Sequence, residues 1–298
     1  MKQYRIAMVG GDGRNLCMIP YFLDMDCLIT SFLTRPLPNN ALFRMVRPAE
    51  SLSDAIKNAD AVVCGIPFAH GINCFCEDRG SVPLTDLQRC LRKRMHIFGG
   101  LIPSDFLTHC EERAIKCHDF MKDEPLAIFL SVATAEGAIL EALMHKNTLL
   151  HDSKTLVLGY GRCGMSLAER LKGLNARVTI CTRSSTALAK AYSSGFDTLS
   201  LSLLKEKISS FEYIFNTIPA CYLDEDCLSR TNSDCLIIDI ASSRLGADYE
   251  AATRLSREIL FCPGLPGRYA TATCGKQLAE YVLSTLTKTH CEPKQKGV

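Results

Sequence analysis

The residues best suited to chemistry lie six in a row: Gly159, Tyr160, Gly161, Arg162, Cys163 and Gly164, a G-x-G-x-x-G pattern. The pattern follows the apolar run Thr-Leu-Val-Leu at 155–158 and leads into Leu167, Leu171 and Leu174 at helical spacing. Between a strand and a helix, the first glycine permits a tight turn and the second lets a pyrophosphate approach the backbone. The third lets helix and strand pack closely. The helix N-terminus then offers amide hydrogens and the positive end of its dipole to a phosphate. This context points to a bound dinucleotide; the alternative is a turn whose glycines are purely structural.

The next apolar run, 177–181, decides which nucleotide. An acidic residue about 20 positions after the loop would hold a ribose 2′-hydroxyl. Here the run ends in Thr182, Arg183, Ser184 and Ser185, with no carboxylate. An arginine flanked by hydroxyls suits a 2′-phosphate, so NADP is expected over NAD, the alternative being an exposed loop arginine. Ligands of open α/β sheets gather beyond the carboxyl ends of the strands. Asn216, Thr217, Ile218 and Pro219 therefore fall on the nicotinamide side, and Arg244 is a candidate anchor for a substrate carboxylate. Asp239 suits either a catalytic role or bonds to nearby backbone amides. The turn Pro-Gly-Leu-Pro-Gly at 263–267 suits a rigid loop.

Near the N-terminus, Gly10, Gly11, Asp12, Gly13 and Arg14 also follow a strand-like run. Leu16 stands where a third glycine would fall, and Asp12 would repel a phosphate. Arg14 is then either a substrate anchor or a surface arginine. His70, His96, His109 and His118 show no metal-ligand spacing, and ordinary core or surface roles suit them.

These residues need a framework. Strand-like runs at 5–9, 27–32, 61–66, 96–98, 155–159, 177–181, 213–218, 235–241 and 258–262 alternate with helical segments. The helical segments fall at 14–23, 51–58, 86–94, 104–114, 131–145, 247–256 and 273–286. Such alternation indicates βαβ units and parallel sheets. Residues 67–84 carry Gly, Pro, Asn and two cysteines and read as a long loop. In the segment 131–145, Thr134 suits a helix cap and Glu136 its first turn. A connecting helix there would put Ser131, Thr134 and Glu136 at the mouth of an interdomain cleft. The expected class is α/β with two domains, each built on a mainly parallel sheet, the C-terminal one Rossmann-type. The division is 1–130 for a substrate domain, 131–150 for an interdomain helix, 151–288 for the NADP-binding domain and 289–298 for a polar tail.

Composition narrows the function classes. The chain has 298 residues, about twice the ~150-residue prior for one domain. With 47% hydrophobic and 22% charged residues it is an ordinary globular mixture. Thirty-four basic against 32 acidic residues give no reason to expect a nucleic-acid or membrane-surface binder. No uninterrupted apolar run approaches the ~18 residues of a membrane span, and no leader precedes the first strand, so a cytoplasmic protein is expected. Sixteen cysteines, about 5% of the chain, fall short of the ~8–10% of a disulfide scaffold. Most interrupt apolar runs, where a reduced cysteine is a small hydrophobe. Cys74 and Cys76 form an isolated C-x-C, weak support for a metal, and none is expected. Cys163, inside the glycine loop, is the thiol most open to a redox role.

Taken in order, GGDGR (10–14), ATAEGAI (133–139), GYGRCG (159–164), TRSS (182–185), NTIP (216–219), DIAS (239–242) and PGLPG (263–267) resemble the family of dipicolinate synthase A subunits. The resemblance implies oxidation of a dihydrodipicolinate-type intermediate of lysine biosynthesis to pyridine-2,6-dicarboxylate. It implies the cytoplasm of the mother cell of a sporulating bacterium, and a flavoprotein-like partner, the B subunit of dipicolinate synthase. A homo-oligomer is compatible with it. Under that chemistry Arg14 and Arg244 would anchor a small dicarboxylate, and NADP would take the hydride. Glu136 would accept the proton and Thr134 would make a polar contact, though both also suit helix capping. One rival is a D-2-hydroxyacid-dehydrogenase-like oxidoreductase, which needs a His–carboxylate relay. No histidine lies between 152 and 289 to supply it. Another rival is a non-catalytic NADP-binding protein with a regulatory role.

Overall fold

A computed structural model of the chain describes residues 2–76 and 80–291. It divides into two compact units, Met1–Ala127 with Ala270–Val298, and Ile128–Tyr269.

The first unit runs β1 (Arg5–Val9), α1 (Gly13–Asp24), β2 (Leu28–Phe32), β3 (Arg47–Pro48), α2 (Leu52–Ile56) and β4 (Ala61–Val63). There follow β5 (Ala69–His70), β6 (Asn73–Cys76), β7 (Gly80–Pro83), α3 (Leu84–Cys90), β8 (His96–Gly99), α4 (Ser104–Glu112) and β9 (Lys116–Asp119). Six strands form one sheet in the order β3-β2-β1-β4-β8-β9, every pair parallel. The Ala-Val-Val of β4 is buried throughout, as suits a central strand covered on both faces. Strands β5, β6 and β7 form a separate antiparallel sheet where the composition of 67–84 suggests a loop. Strands of two to four residues are too short to display a period, and they hold by pairing with one another.

The chain continues through α5 (Glu124–His145), β10 (Lys154–Leu158), α6 (Arg162–Gly173), β11 (Arg177–Thr182), α7 (Ser185–Ser193), β12 (Asp197–Ser200), α8 (Leu204–Lys207) and β13 (Tyr213–Asn216). It then forms α9 (Glu225–Ser229), β14 (Leu236–Asp239), α10 (Tyr249–Arg254), β15 (Glu258–Phe261), α11 (Leu265–Tyr269) and α12 (Thr271–Cys291). The second unit's sheet has the order β12-β11-β10-β13-β14-β15, again wholly parallel. Both sheets thus have the Rossmann order, three strands wound outward one way and three the other. Strand alternation feeds two cores. Val157 packs with Leu167, Leu171 and Ala138 on one face, Leu156 and Leu158 with Ile208, Leu228 and Ala251 on the other.

Two helices also depart from expectation. The one expected at 131–145 starts at Glu124, just after Asp123, whose Oδ1 accepts the Leu126 amide at 3.0 Å. Thr134 and Glu136 therefore lie inside a 22-residue helix and cap nothing. By length and mean hydropathy this helix would suffice to cross a membrane, but 61% of its apolar window is buried within the protein. Small residues such as Ala135, Ala138 and Ala142 raise its hydropathy because they pack in the core. The helix expected at 273–286 within the nucleotide domain is α12, which belongs to the first unit. Gly275 lacks the side chain that would strike Cys17 Cβ and the Arg14 carbonyl, and so lets α12 cross α1 closely. The Tyr4 hydroxyl donates to the Leu286 carbonyl at 2.9 Å.

The cysteines whose side chains are described, a set without Cys76 and Cys291, are free thiols, and Cys64, Cys110, Cys181, Cys227 and Cys235 are buried. Burial pushes Cys181, Cys227 and Cys235 up to about 12, so these thiols stay protonated and serve as core filler. Among the described residues no group of three or more His, Cys, Asp or Glu is arranged to hold a metal ion.

Candidate functional site

The glycine loop joins β10 to α6, and its three glycines answer to three different constraints. Gly159 has φ +93°, a conformation side chains rarely adopt, and a Cβ there would also strike Thr217 and Ile218. At Gly164 a Cβ would fall inside 3.0 Å of the Gly159 carbonyl oxygen and 2.9 Å from its carbon, so helix and turn can meet only at glycine. Gly161, the N-cap of α6, has an ordinary φ of −87°, and apart from its two chain neighbours no residue of the protein comes within 4 Å of a Cβ built there. Nothing in the chain itself demands glycine at 161. Tyr160 and Arg162 are half-buried, the Tyr160 ring edge-on to Phe196 at 6.1 Å. Burial raises the Cys163 thiol against the lowering effects of Arg162 and a Thr134 hydrogen bond, which disfavours the thiolate a redox role would need.

At the end of β11 the four polar residues divide. Thr182 is buried and its Oγ1 accepts the Ser184 amide at 3.4 Å. Ser184 caps α7, its Oγ accepting the Ala187 amide at 3.2 Å. Arg183 and Ser185 are exposed. The hydroxyl next to Arg183 is thus partly committed to the helix start, and the cation is the open group.

Beyond β13 and β14 lies a buried polar network that spacing alone does not reveal. Asn216 Nδ2 donates to the Ile218 carbonyl at 3.1 Å and to Asp239 Oδ1 at 3.0 Å, while its Oδ1 accepts the Ile218 amide. Thr217 Oγ1 donates to the Leu158 carbonyl at 2.8 Å. Asn216 and Thr217 therefore shape the turn that carries the half-buried Ile218 and the exposed Pro219. Asp239 is fully buried, and its oxygens also accept the Ala241 amide at 3.0 Å and the Tyr249 hydroxyl at 2.5 Å. The role observed for Asp239 is that of a strand-end acceptor. Burial, then the bond to Asp239, pushes the Tyr249 phenol well above its ordinary value. The only sequence signal is Gly246, where a side chain would strike Asn216 Nδ2 and Asp239. Arg244 is exposed, with its guanidinium carbon 4.4 Å from the Tyr249 ring centre and 5.9 Å from that of Phe261.

Three polar residues of α5 face α6. Ser131 Oγ lies 2.6 Å from Ser166 Oγ, Thr134 bonds the Cys163 thiol, and Glu136 pairs with Arg170 at 3.6 Å. These rungs brace the helix that begins at the glycine loop. Further along α5, Glu141 is 5% exposed and holds Arg268 at 2.7 Å and the Tyr269 hydroxyl at 2.8 Å, tying α11 to α5. Gly137 makes room for Leu265 and Tyr269 in the same contact.

In the first unit, the turn after β1 differs from the expectation. Asp12 caps α1, accepting the Arg14 amide at 2.8 Å. Arg14 is 4% exposed, with Nε and Nη2 on Asp12 and Nη2 also on the Ile66 carbonyl. It is not a surface arginine, and its Nε and Nη2 donors already brace the loops after β1 and β4. His96 Nδ1 and His118 Nε2 meet at 3.0 Å across neighbouring strands of the sheet.

With this geometry in view, the chain can be set beside known proteins. A family model described as the N-terminal domain of the A subunit of dipicolinate synthase matches residues 5–121. The A subunit of dipicolinate synthase from Bacillus subtilis (strain 168) is 35% identical over 196 residues, 66% of this chain and 66% of that relative, just under two thirds of its length. The crystal structure of the A chain of dipicolinate synthase from Bacillus subtilis matches at a TM-score of 0.84 and 27% identity, over 98% of each chain. An L-alanine dehydrogenase shares the fold alone, at a TM-score of 0.62 and 13% identity, over 97% of this chain and 90% of that one. Likeness in sequence along the first unit and in structure over nearly the full length agree: the chain belongs to the family of dipicolinate synthase A subunits.

Proposed function

We propose that this protein is an NADP-dependent oxidoreductase that converts a dihydrodipicolinate to pyridine-2,6-dicarboxylate. In this reading it acts with the flavoprotein-like B subunit in the cytoplasm of a sporulating mother cell. The observation that carries the nucleotide half of the reading is Gly161. A glycine with an ordinary φ and open space around its missing side chain is explained by a group from outside the chain approaching the backbone. Gly159 and Gly164 support the loop that presents that backbone, and the N-terminal amides of α6 would receive the pyrophosphate. Arg183, exposed and without a neighbouring carboxylate in its turn, would bind the 2′-phosphate, with Ser185 beside it.

Bound NADP would supply the hydride acceptor. The chain's own residues bind and orient. The Asn216–Thr217 turn presents Ile218 and Pro219 along the nicotinamide side. Arg244 offers a cation to a substrate carboxylate. Glu136, with its side chain 65% exposed and in a loose pair with Arg170, is the candidate proton acceptor, and Thr134 stands behind it as a brace on Cys163. Aromatisation of the ring supplies the driving force, so positioning is the main demand on the protein.

The test mixes the purified chain, with and without the B subunit, with NADP or NAD, aspartate semialdehyde, pyruvate and the upstream synthase. Dipicolinate and reduced nicotinamide are followed together. Formation of both with NADP is expected; no product under any combination would overturn the reading. Cofactor choice is tested by titrating NADP and NAD against Arg183→Ala. A loss of about tenfold or more for NADP alone is expected (about 1.4 kcal/mol), and unchanged NADP affinity would refute the 2′-phosphate assignment.

A further inference from the structure

Arg244 is held in an unusual way for an exposed cation. Its guanidinium sits in a corner formed by two rings that meet nearly at right angles, Tyr249 and Phe261, with centroids 6.1 Å apart at 79°. Among the described residues it makes no ion pair or hydrogen bond. An arginine fixed by a carboxylate has one edge of its in-plane N–H donors occupied, as Arg14 has Nε and Nη2 on Asp12. An arginine fixed by an aromatic face is held through its π surface, which leaves the planar fork of donors open at its edges.

The corner is itself anchored. The Tyr249 hydroxyl bonds Asp239, a carboxylate at the carboxyl end of β14 whose other contacts, Asn216 and the Ala241 amide, are also buried. Phe261 is the last residue of β15, the strand beside β14, in register with Asp239. Both walls are therefore tied to strand ends, whereas Arg244 sits in the loop at 242–247. Leu245, next to it, is 64% exposed, so the neighbouring side chain does nothing to orient the arginine, and the buried Gly246 and Ala247 anchor only the far end of the loop.

We propose that Tyr249 is a positioning residue for Arg244: with Phe261 it forms a platform, locked by Asp239, that holds the guanidinium by its face and presents its donor edge to a planar carboxylate. The assignment rests on the reading of Arg244 as the substrate anchor and adds the residue that fixes its orientation. It also names the ligand class, a flat carboxylate able to take two parallel N–H bonds, rather than a bulky or tetrahedral anion.

The experiment measures binding of pyridine-2,6-dicarboxylate by calorimetry to the full chain in the presence of NADP, for the parent, Arg244→Ala, Tyr249→Phe, Tyr249→Leu and the double variant Arg244→Ala/Tyr249→Leu. NADP affinity and thermal unfolding are recorded for each. Tyr249→Phe and Tyr249→Leu both lose the bond to Asp239, so the difference between them isolates the ring. Expected are a loss of tenfold or more for Arg244→Ala, about fivefold for Tyr249→Leu beyond Tyr249→Phe, and no further loss when Tyr249→Leu is added to Arg244→Ala. If Arg244→Ala binds like the parent, the anchor reading itself fails. If Arg244→Ala weakens binding while the two Tyr249 variants match, or Tyr249→Leu weakens binding equally in the Arg244→Ala background, the anchor stands and the platform is refuted.

Discussion

Gly161→Ala and Gly164→Ala are the same chemical change three residues apart, and the structure assigns them opposite consequences. At 164 the new methyl group meets the Gly159 carbonyl, with the carbon at 2.9 Å and the oxygen nearer still, where real Cβ atoms are not found. The clash is with backbone on one side and a helix on the other, so α6 must lift by about half an ångström or more. Overpacking of this kind costs about 1–3 kcal/mol, and the loop is displaced as well. At 161 the methyl group points into space empty to 4 Å, on a residue whose φ of −87° suits alanine. Loss of chain entropy in the unfolded state favours alanine by about 0.4–1 kcal/mol. Alanine is a poorer N-cap than glycine by a similar amount. The two effects offset, and the change in stability should stay within about 0.5 kcal/mol, a melting shift of about 2 °C or less for a domain of this size. The same methyl group would stand between the α6 amides and a pyrophosphate. Dinucleotide affinity should therefore fall about 10- to 100-fold, equivalent to about 1.4–2.7 kcal/mol. Thermal unfolding without nucleotide and calorimetric titration with NADP give both numbers. Gly161→Ala that binds NADP like the parent would refute the placement of the pyrophosphate. Gly161→Ala that loses about 2 kcal/mol of stability without ligand would show that the chain needed the glycine after all.

Three further outcomes follow from buried or paired groups. Asp239→Ala strands the Asn216 amide, the Ala241 N–H and the Tyr249 hydroxyl; a loss of about 3 kcal/mol or more is expected in urea unfolding, at about 1 kcal/mol or more per stranded donor, and a loss under about 1 kcal/mol would contradict the network. Burial, and then Lys116, hold His118 down at about 4 in the folded protein, against 6.5 ordinarily. The unfolded chain therefore takes up this proton first, and the contribution of His118 is present above about pH 6.5 and lost as pH falls toward 4; His118→Phe should flatten that part of the stability profile, and an unchanged slope would refute it. Glu136→Gln should lower kcat while leaving NADP affinity and melting temperature near the parent's, because a pair this exposed contributes at most about 1 kcal/mol; unchanged kcat would leave Glu136 only its bracing contact with Arg170.

The glycine loop and the strand–helix alternation were legible from residue types because each is local. A strand run, a glycine triad and a helical leucine pattern depend on neighbours within about thirty residues. The same locality explains the misreadings. Thr134 and Glu136 resemble a helix start, but Asp123 caps the helix further upstream. Arg14 resembles an open cation because Asp12 and the Ile66 carbonyl that engage it come together only when β1 and β4 lie side by side.

From the chain alone, then, came the class of fold, the glycine turn between a strand and a helix and the absence of a carboxylate from residues 182–185. Tertiary structure decided the rest. It moved the last helix to the first unit through Gly275, placed strands at 69–70, 73–76 and 80–83, and made Asp239 an acceptor for donors from two strand ends and a helix. It also stood Arg244 against Tyr249 and Phe261. The physical reason is the range of the forces involved. Backbone turns and periodic burial are set by sequence neighbours, whereas satisfying a buried carboxylate or stacking a cation needs partners that only a folded sheet brings together.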